Sequence, residues 1–286
     1  MDWSCNHSFF GQSDYCSVKQ KYSGREKVSS DKHYLCIAVS DGDNVQWLER
    51  NFMTDGHFGQ RCRSNKGYKL NWTVAPSMGK LCPEVLQKIY SMANNDYFIT
   101  GVSGIGYTNT MSYPYKYLSE YSALTEEAMK VSDLNYMCLL DNFALTSDEE
   151  NVTKRLDEFA KYDRIGGGIW ELDPDRYESG KGRVFWSSNG KPFVSVRLSM
   201  WHPSNDPDQT NDEWIKSYAD KINSMPVCPD KIDGYTVLNV HPWTVNINQL
   251  NYFVSLLSEN VEILFVKDFI EEIKKNVPHV NAVPEN

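Results

Sequence analysis

Residues 33–48, HYLCIAVSDGDNVQWL, run apolar and then deliver Asp41-Gly42-Asp43-Asn44. Two carboxylates around a glycine can exchange protons as an acid/base pair, ligate a metal ion, or accept hydrogen bonds from hydroxyls. They can also simply close a turn, because Asp-Gly is a turn dipeptide and its carboxylates cap backbone amides. Glu171 directly follows Trp170, and a neighbouring indole would desolvate the carboxyl and raise its pKa, as a general acid requires. Asp141 follows CLL and is a second acid candidate, with Asp-Asn turn chemistry as its plain alternative. His241 ends an apolar run ahead of Pro242-Trp243, and His202 sits similarly in WHP. Either histidine would serve equally as a hydrogen-bonded structural residue. Tyr107, Tyr113, Trp201 and Trp243 offer rings that can stack on flat ligands or pack internally.

Those residues become a set only through the elements that carry them. Apolar runs at 34–39, 70–75, 97–102, 136–140, 165–170, 193–201, 235–241 and 261–266 read as strands. They are nearly continuous rather than alternating, as expected of parallel strands buried on both faces. Between them, PEVLQKIYSMAN, SDEENVTKRLDEFAKY, NDEWIKSYADKIN, NINQLNYFVSLLSEN and VKDFIEEIKKNV carry helical periodicity. A Ser-Asn-Gly turn signal marks a hairpin insertion near 174–192. The alternation predicts an α/β fold, a TIM-like (β/α) barrel, regular or distorted. Residues 1–30 read as an N-terminal extension or junction remnant, and 31–286 as one barrel domain. In such barrels the loops after the strand C-termini carry function, and Asp41, Asp43, Asp141, Glu171, Trp201 and His241 all fall there.

Bulk properties narrow the partners. The 286 residues are 41% hydrophobic and carry a net charge of −9, with no clustered Lys or Arg. That balance excludes a nucleic-acid partner, which needs basic patches. No apolar run reaches the roughly 18 residues of a membrane span. The N-terminus has no basic start followed by an apolar stretch, so no signal peptide is present in the given chain, and a complete chain would be cytoplasmic. Seven cysteines without a C-x-x-C pair argue against a zinc knuckle or redox dithiol. GVSGIG lacks the order and the lysine of a phosphate loop, and Ile105 stands where a nucleophile elbow needs glycine. The 13% aromatic share suits hydroxyl-bearing ligands such as sugars.

DWSCNHS (2–8), SDGDNVQW (40–47), SGIGY (103–107) with YP (113–114), and VHPW (240–243) together resemble the GxGYxYP family of putative glycoside hydrolases, in its C-terminal, barrel-like domain. The chain departs from that pattern by placing TNTMS between Gly-x-Gly-Tyr and Tyr-Pro, which repositions Tyr113 relative to Tyr107. The resemblance implies a carbohydrate substrate and a secreted or periplasmic setting. Three readings follow. In the first, a glycosidase uses two strand-end carboxylates and no cofactor, with Glu171, Asp41, Asp43 and Asp141 as the catalytic candidates. Asn44, Tyr107, Tyr113, Trp170, Trp201, His202, His241 and Trp243 would then contact the sugar. In the second, a hydrolase resembling polysaccharide deacetylases holds a divalent metal at Asp41, Asp43 and His241, although WTVAPS supplies no further ligand. The third is a carbohydrate-binding barrel without catalysis.

Overall fold

The computed structural model describes residues 18–21, 27–54, 56–64, 67–204 and 207–285. DWSCNHS, Cys5 and Cys16 lie outside the described residues. Ten strands are present among those described: β1 (His33–Val39), β2 (Leu70–Val74), β3 (Asp96–Thr100), β4 (Met137–Asn142), β5 (Gly168–Asp173), β6 (Val184–Trp186), β7 (Pro192–Ser195), β8 (Leu198–Met200), β9 (Tyr235–Val240) and β10 (Val261–Ile263). They form two sheets. One runs β3-β2-β1-β9-β8 with β10 alongside the start of β1, and the other runs β4-β5-β7-β6. All pairings are parallel except β6 against β7. This is a mixed α/β fold with parallel sheets.

Single hydrogen bonds stitch the sheets together. Thr100 N donates to Tyr136 O at 3.1 Å beside β3 and β4. On the other side, Val196 N donates to Trp170 O at 2.9 Å and Arg197 N to Val237 O at 3.0 Å. The apolar run 193–201 therefore feeds both sheets, β7 in one and β8 in the other, with its break at Val196-Arg197.

The central strands bury both faces. In β1, Leu35, Ile37 and Val39 join the core under the helices, while Tyr34, Cys36 and Ala38 join the core between the sheets. That is period-2 geometry with both faces apolar. The expected helices form at Pro83–Met92, Glu149–Ala160, Asp212–Asn223, Ile247–Ser255 and Val266–Asn276. Their caps are local: Asp148 accepts from Asn151 N, Asn211 from Trp214 N, and Asn246 makes a capping box with Gln249. A 17-residue helix, Tyr115–Val131, went unread in the sequence. Its buried stripe is Leu118, Ser122, Thr125, Ala128 and Met129, too small and polar to announce a helical period.

The hairpin insertion is realised by β6 and β7, closed by a turn in which Ser187 N donates to Lys191 O at 3.1 Å. Three boundaries differ from expectation. The run 193–201 splits into β7 and β8, so the eight apolar runs yield nine strands, and β6 forms within the hairpin insertion. The run 261–266 stops as a strand at Ile263, and a helix starts at Val266. Most consequentially, the strand read at 165–170 begins at Gly168 and continues to Asp173. The preceding glycines serve close approach instead: a Cβ on Gly166 would sit 2.7 Å from the Tyr136 ring, and one on Gly167 would sit 2.3 Å from Pro192 O. Glu171 thus lies inside a strand rather than on the loop after it.

Gly167 also adopts φ +130°, outside the range that side chains tolerate. Gly167→Ala should lower the urea midpoint by an amount equivalent to about 1–3 kcal/mol, with the slope unchanged. An unaltered midpoint would mean that this close approach does not fix the start of β5.

Candidate active site

The SDGDN segment is both a turn and a site. Asp41 takes φ +66°, and Asn44 N donates to Asp41 O at 3.1 Å. Gly42 N donates to Thr73 Oγ1 at 2.9 Å, and a Cβ on Gly42 would lie 1.7 Å from Thr73 O, so only glycine fits. Asn44 caps the short helix Val45–Glu49 by accepting from Trp47 N. With the turn closed in this way, the Asp41 carboxyl is left for other partners, while that of Asp43 accepts from its own backbone N–H.

Asp41 is the hub. Its Oδ2 lies 3.4 Å from His241 Nε2 and 3.4 Å from Ser40 Oγ, and the Trp243 indole donates to the same carboxyl. Burial and the neighbouring Asp43 carboxylate push the Asp41 pKa up to about 7. Burial, with Arg176 nearby, holds His241 down at about 4. The imidazole is therefore neutral near pH 7, and its contact with Asp41 is a polar contact rather than an ion pair. His241 is fixed on its other sides by Thr244, whose Oγ1 is 3.3 Å from Nδ1, and by Trp201, stacked at 3.8 Å and 7°. Tyr177 packs on Trp201 at 5.1 Å.

Glu171 is only 2% exposed. Within β5, Ile169 joins the core between the sheets and Trp170 joins the opposite core, so Glu171 shares the inner face with Ile169. Trp170 is therefore not the group that desolvates it, contrary to the sequence reading. Burial comes first in raising the Glu171 pKa well above the ordinary carboxylate range, and Asp41, Asp43 and Asp173 add to it, while the Cys138 thiol donates to Glu171 and opposes the rise. Burial raises Asp43 and Asp173 as well.

Asp141 belongs elsewhere. It lies opposite Leu172 in the β4–β5 register, on the helix-facing side, where it accepts from Trp170 Nε1 at 3.1 Å and Met111 N at 2.5 Å. Burial pushes its pKa to about 7, yet its oxygens are engaged in packing, Oδ1 with the 110–111 loop and Oδ2 with the Trp170 indole. Tyr113 packs on Tyr121 with the rings tilted at 43° and 4.9 Å apart, and its carbonyl accepts from Arg155. His202 accepts from Ser204 N and meets Trp214 edge-on at 5.1 Å. Asp141 and Trp170 lie on the opposite face of the sheet from Glu171, and His202 touches the hub through its backbone N–H, which donates to Thr244 Oγ1 at 3.2 Å.

Beside the acids opens a cavity of about 670 Å³, whose wall includes Asp43, Asn44 and Tyr107. Tyr107 stands at its rim, 65% exposed, with its hydroxyl pKa raised by burial and by the charges of Asp43, Asp173, Glu171 and Asp41. Two neighbours of the acids were missed in the sequence. Asp173 was detectable, since it lies two residues from Glu171 and period 2 puts both on one face. Tyr177 carried no signal, because it reaches the site from a loop at φ +74°. Among the described residues no three His, Cys, Asp or Glu side chains are grouped as a metal site.

Residues 31–274 match the model of the GxGYxYP putative glycoside hydrolase C-terminal domain. The chain belongs to that family. It is also similar to the crystal structure of a putative hydrolase from Bacteroides thetaiotaomicron, at 27% identity and TM-score 0.79, over 97% of this chain and 51% of that one. The chain thus spans about half of that protein's length. A putative polysaccharide deacetylase from Mycobacterium smegmatis shares the fold at 12% identity and TM-score 0.52, covering 94% of this chain and all of that one. So does a probable polysaccharide deacetylase from Pseudomonas aeruginosa, at 8% identity and TM-score 0.51, over 86% and 92% of the two chains. No curated protein matches.

Burial of Glu171 has a consequence for stability. The folded chain keeps its proton at pH values where the unfolded chain, near the ordinary 4.5, has lost it. The stability tied to this proton is complete below 4.5 and is lost as pH rises toward the folded-state pKa. Glutamine has no proton to lose. The stability of Glu171→Gln relative to wild type should therefore grow by about 1.4 kcal/mol per pH unit in urea melts between 4.5 and the folded-state pKa, and level off above it. A pH-independent difference would mean that Glu171 is charged in the fold.

Proposed function

We propose that this chain hydrolyses a glycosidic bond, with Glu171 as general acid and Asp41 as its partner carboxylate. One observation carries the reading: two carboxyls from different strands influence each other while their environments separate their proton affinities. Burial raises the Glu171 pKa well above the ordinary carboxylate range, whereas the Asp41 side chain is 22% exposed and is pushed up to about 7. Such separation assigns acid and base roles in carboxylate pairs. The family description and the hydrolase from Bacteroides thetaiotaomicron support the same reaction class.

In this mechanism Glu171 delivers its proton to the leaving oxygen. Ionised Asp41 acts on the other side of the bond, on the sugar carbon directly or through water. His241 and Trp243 hold the Asp41 carboxyl in place and leave one edge for the reaction. Asp43 and Asn44 accept hydrogen bonds from sugar hydroxyls at the cavity wall. The two sheets act together as a distorted (β/α) barrel whose strand C-termini form the mouth.

The deacetylase-like alternative draws on the shared fold and on the Asp41–His241 contact. It would hold a divalent ion at Asp41, Asp43 and His241. The donor set fits that poorly: the Asp41 carboxyl already faces His241, Trp243 and Ser40, and β2 leads into Ala75-Pro76-Ser77, which adds no imidazole or carboxylate. We therefore read the reaction as metal-independent, and treatment with a chelator should leave the rate intact. Loss of activity on chelation, restored by a divalent ion, would favour the alternative.

Glu171→Gln keeps the shape but removes the proton. On an alkyl glycoside the rate should fall by about 10²–10⁴. On an aryl glycoside with a good leaving group the fall should be smaller, because less protonation is required. Equal losses on both substrates, or no loss on either, would remove Glu171 from the acid role.

A further inference from the structure

The 670 Å³ cavity differs in character from the acid cluster that it adjoins. Val45, Ala75, Leu81, Val102 and Ile105 supply its aliphatic side chains, and Tyr107 its rim. Leu81, 42% exposed, and Tyr107, 65% exposed, are among the few large apolar side chains left open to solvent among the described residues. Apolar side chains are not normally left at a concave mouth unless something covers them. No Lys, Arg or His lines it among the described residues, and Asp43 is its one charged group. The cavity therefore offers no cationic side chain to pair with an anionic ligand. Phosphorylated, sulfated and uronic-acid ligands are disfavoured there.

The backbone of the loop after β3 contributes open floor. A Cβ on Gly106 would meet nothing within 4 Å, so the space above that residue is free. A Cβ on Gly101, by contrast, would sit 2.7 Å from Asp43 N, which ties the cavity floor directly to the acid-bearing segment.

From this juxtaposition we infer that the cavity is a subsite for an apolar leaving group, so that the substrate is an uncharged glycoside carrying an alkyl or aryl aglycone. The inference rests on the glycosidase reading, which supplies the sugar side. The sugar meets Asp41 and Glu171, and the aglycone extends past Asp43 along Val45, Val102 and Ile105 beneath Tyr107. No charged partner is needed, and each methylene removed from water adds roughly fourfold to affinity.

Binding, rather than turnover, separates this inference from the reading on which it rests. The catalytically silenced Glu171→Gln protein is titrated calorimetrically with methyl and n-hexyl glycosides of neutral hexoses. The hexyl compounds should bind at least about 50-fold more tightly than their methyl counterparts, part of the fourfold-per-methylene limit. Adding Gly106→Leu, which fills open space without a backbone clash, should erase that preference while the melting temperature holds. Leu81→Ser, at an exposed position, should reduce it independently of any folding effect of the glycine change. Equal binding of methyl and hexyl glycosides, or a preference that survives both changes, overturns the subsite. A preference without wild-type turnover of either glycoside would sustain the subsite and remove the glycosidase reading instead.

Discussion

Burial of a carboxyl group on the inner face of β5 is the constraint around which the site is organised. Desolvation alone disfavours a charged Glu171, and Asp41, Asp43 and Asp173 press in the same direction. Four acids within one electrostatic neighbourhood cannot all ionise at neutral pH. The fold resolves the conflict by graded exposure: Glu171 is sealed, Asp41 is partly open, and Asp43 reaches the cavity wall. That gradient in environment creates a gradient in proton affinity, which is what acid/base chemistry at one bond requires.

Asp41 stays in place because its supports are rigid rather than charged. His241 is neutral near pH 7, clamped between Trp201 and Thr244, and Trp243 in turn packs on Trp47 at 5.1 Å. The backbone beneath is fixed by Gly42 against Thr73, whose hydroxyl also donates to Val39 O at 2.9 Å. The fit at this turn therefore orients the hub before any substrate arrives.

Strand positions were legible because parallel strands buried on both faces read as continuous apolar runs. The same property hid which way each side chain points. With both faces apolar, no alternation distinguishes Glu171, which faces inward, from Trp170, which faces the helices. Asp141 went astray for this reason: it ends its strand like the others, but its register puts it behind the sheet, bonded to Trp170 and Met111. The glycine run 166–168 looked like strand and begins as close-approach loop, shifting Glu171 from rim to interior. His241 and Trp243 were found together because both follow one strand end, and their joint contact with Asp41 needed coordinates to be seen.

The central claim is that Glu171 holds its proton at neutral pH. The most direct test is the carboxyl carbon signal of Glu171, resolved by ¹³C-labelled glutamate and assigned with Glu171→Gln, followed by NMR across the pH range in which the protein stays folded. A protonated signal at neutral pH, titrating well above the ordinary 4.5, is the expected result. Titration at or near 4.5 would contradict it and leave the site without its acid.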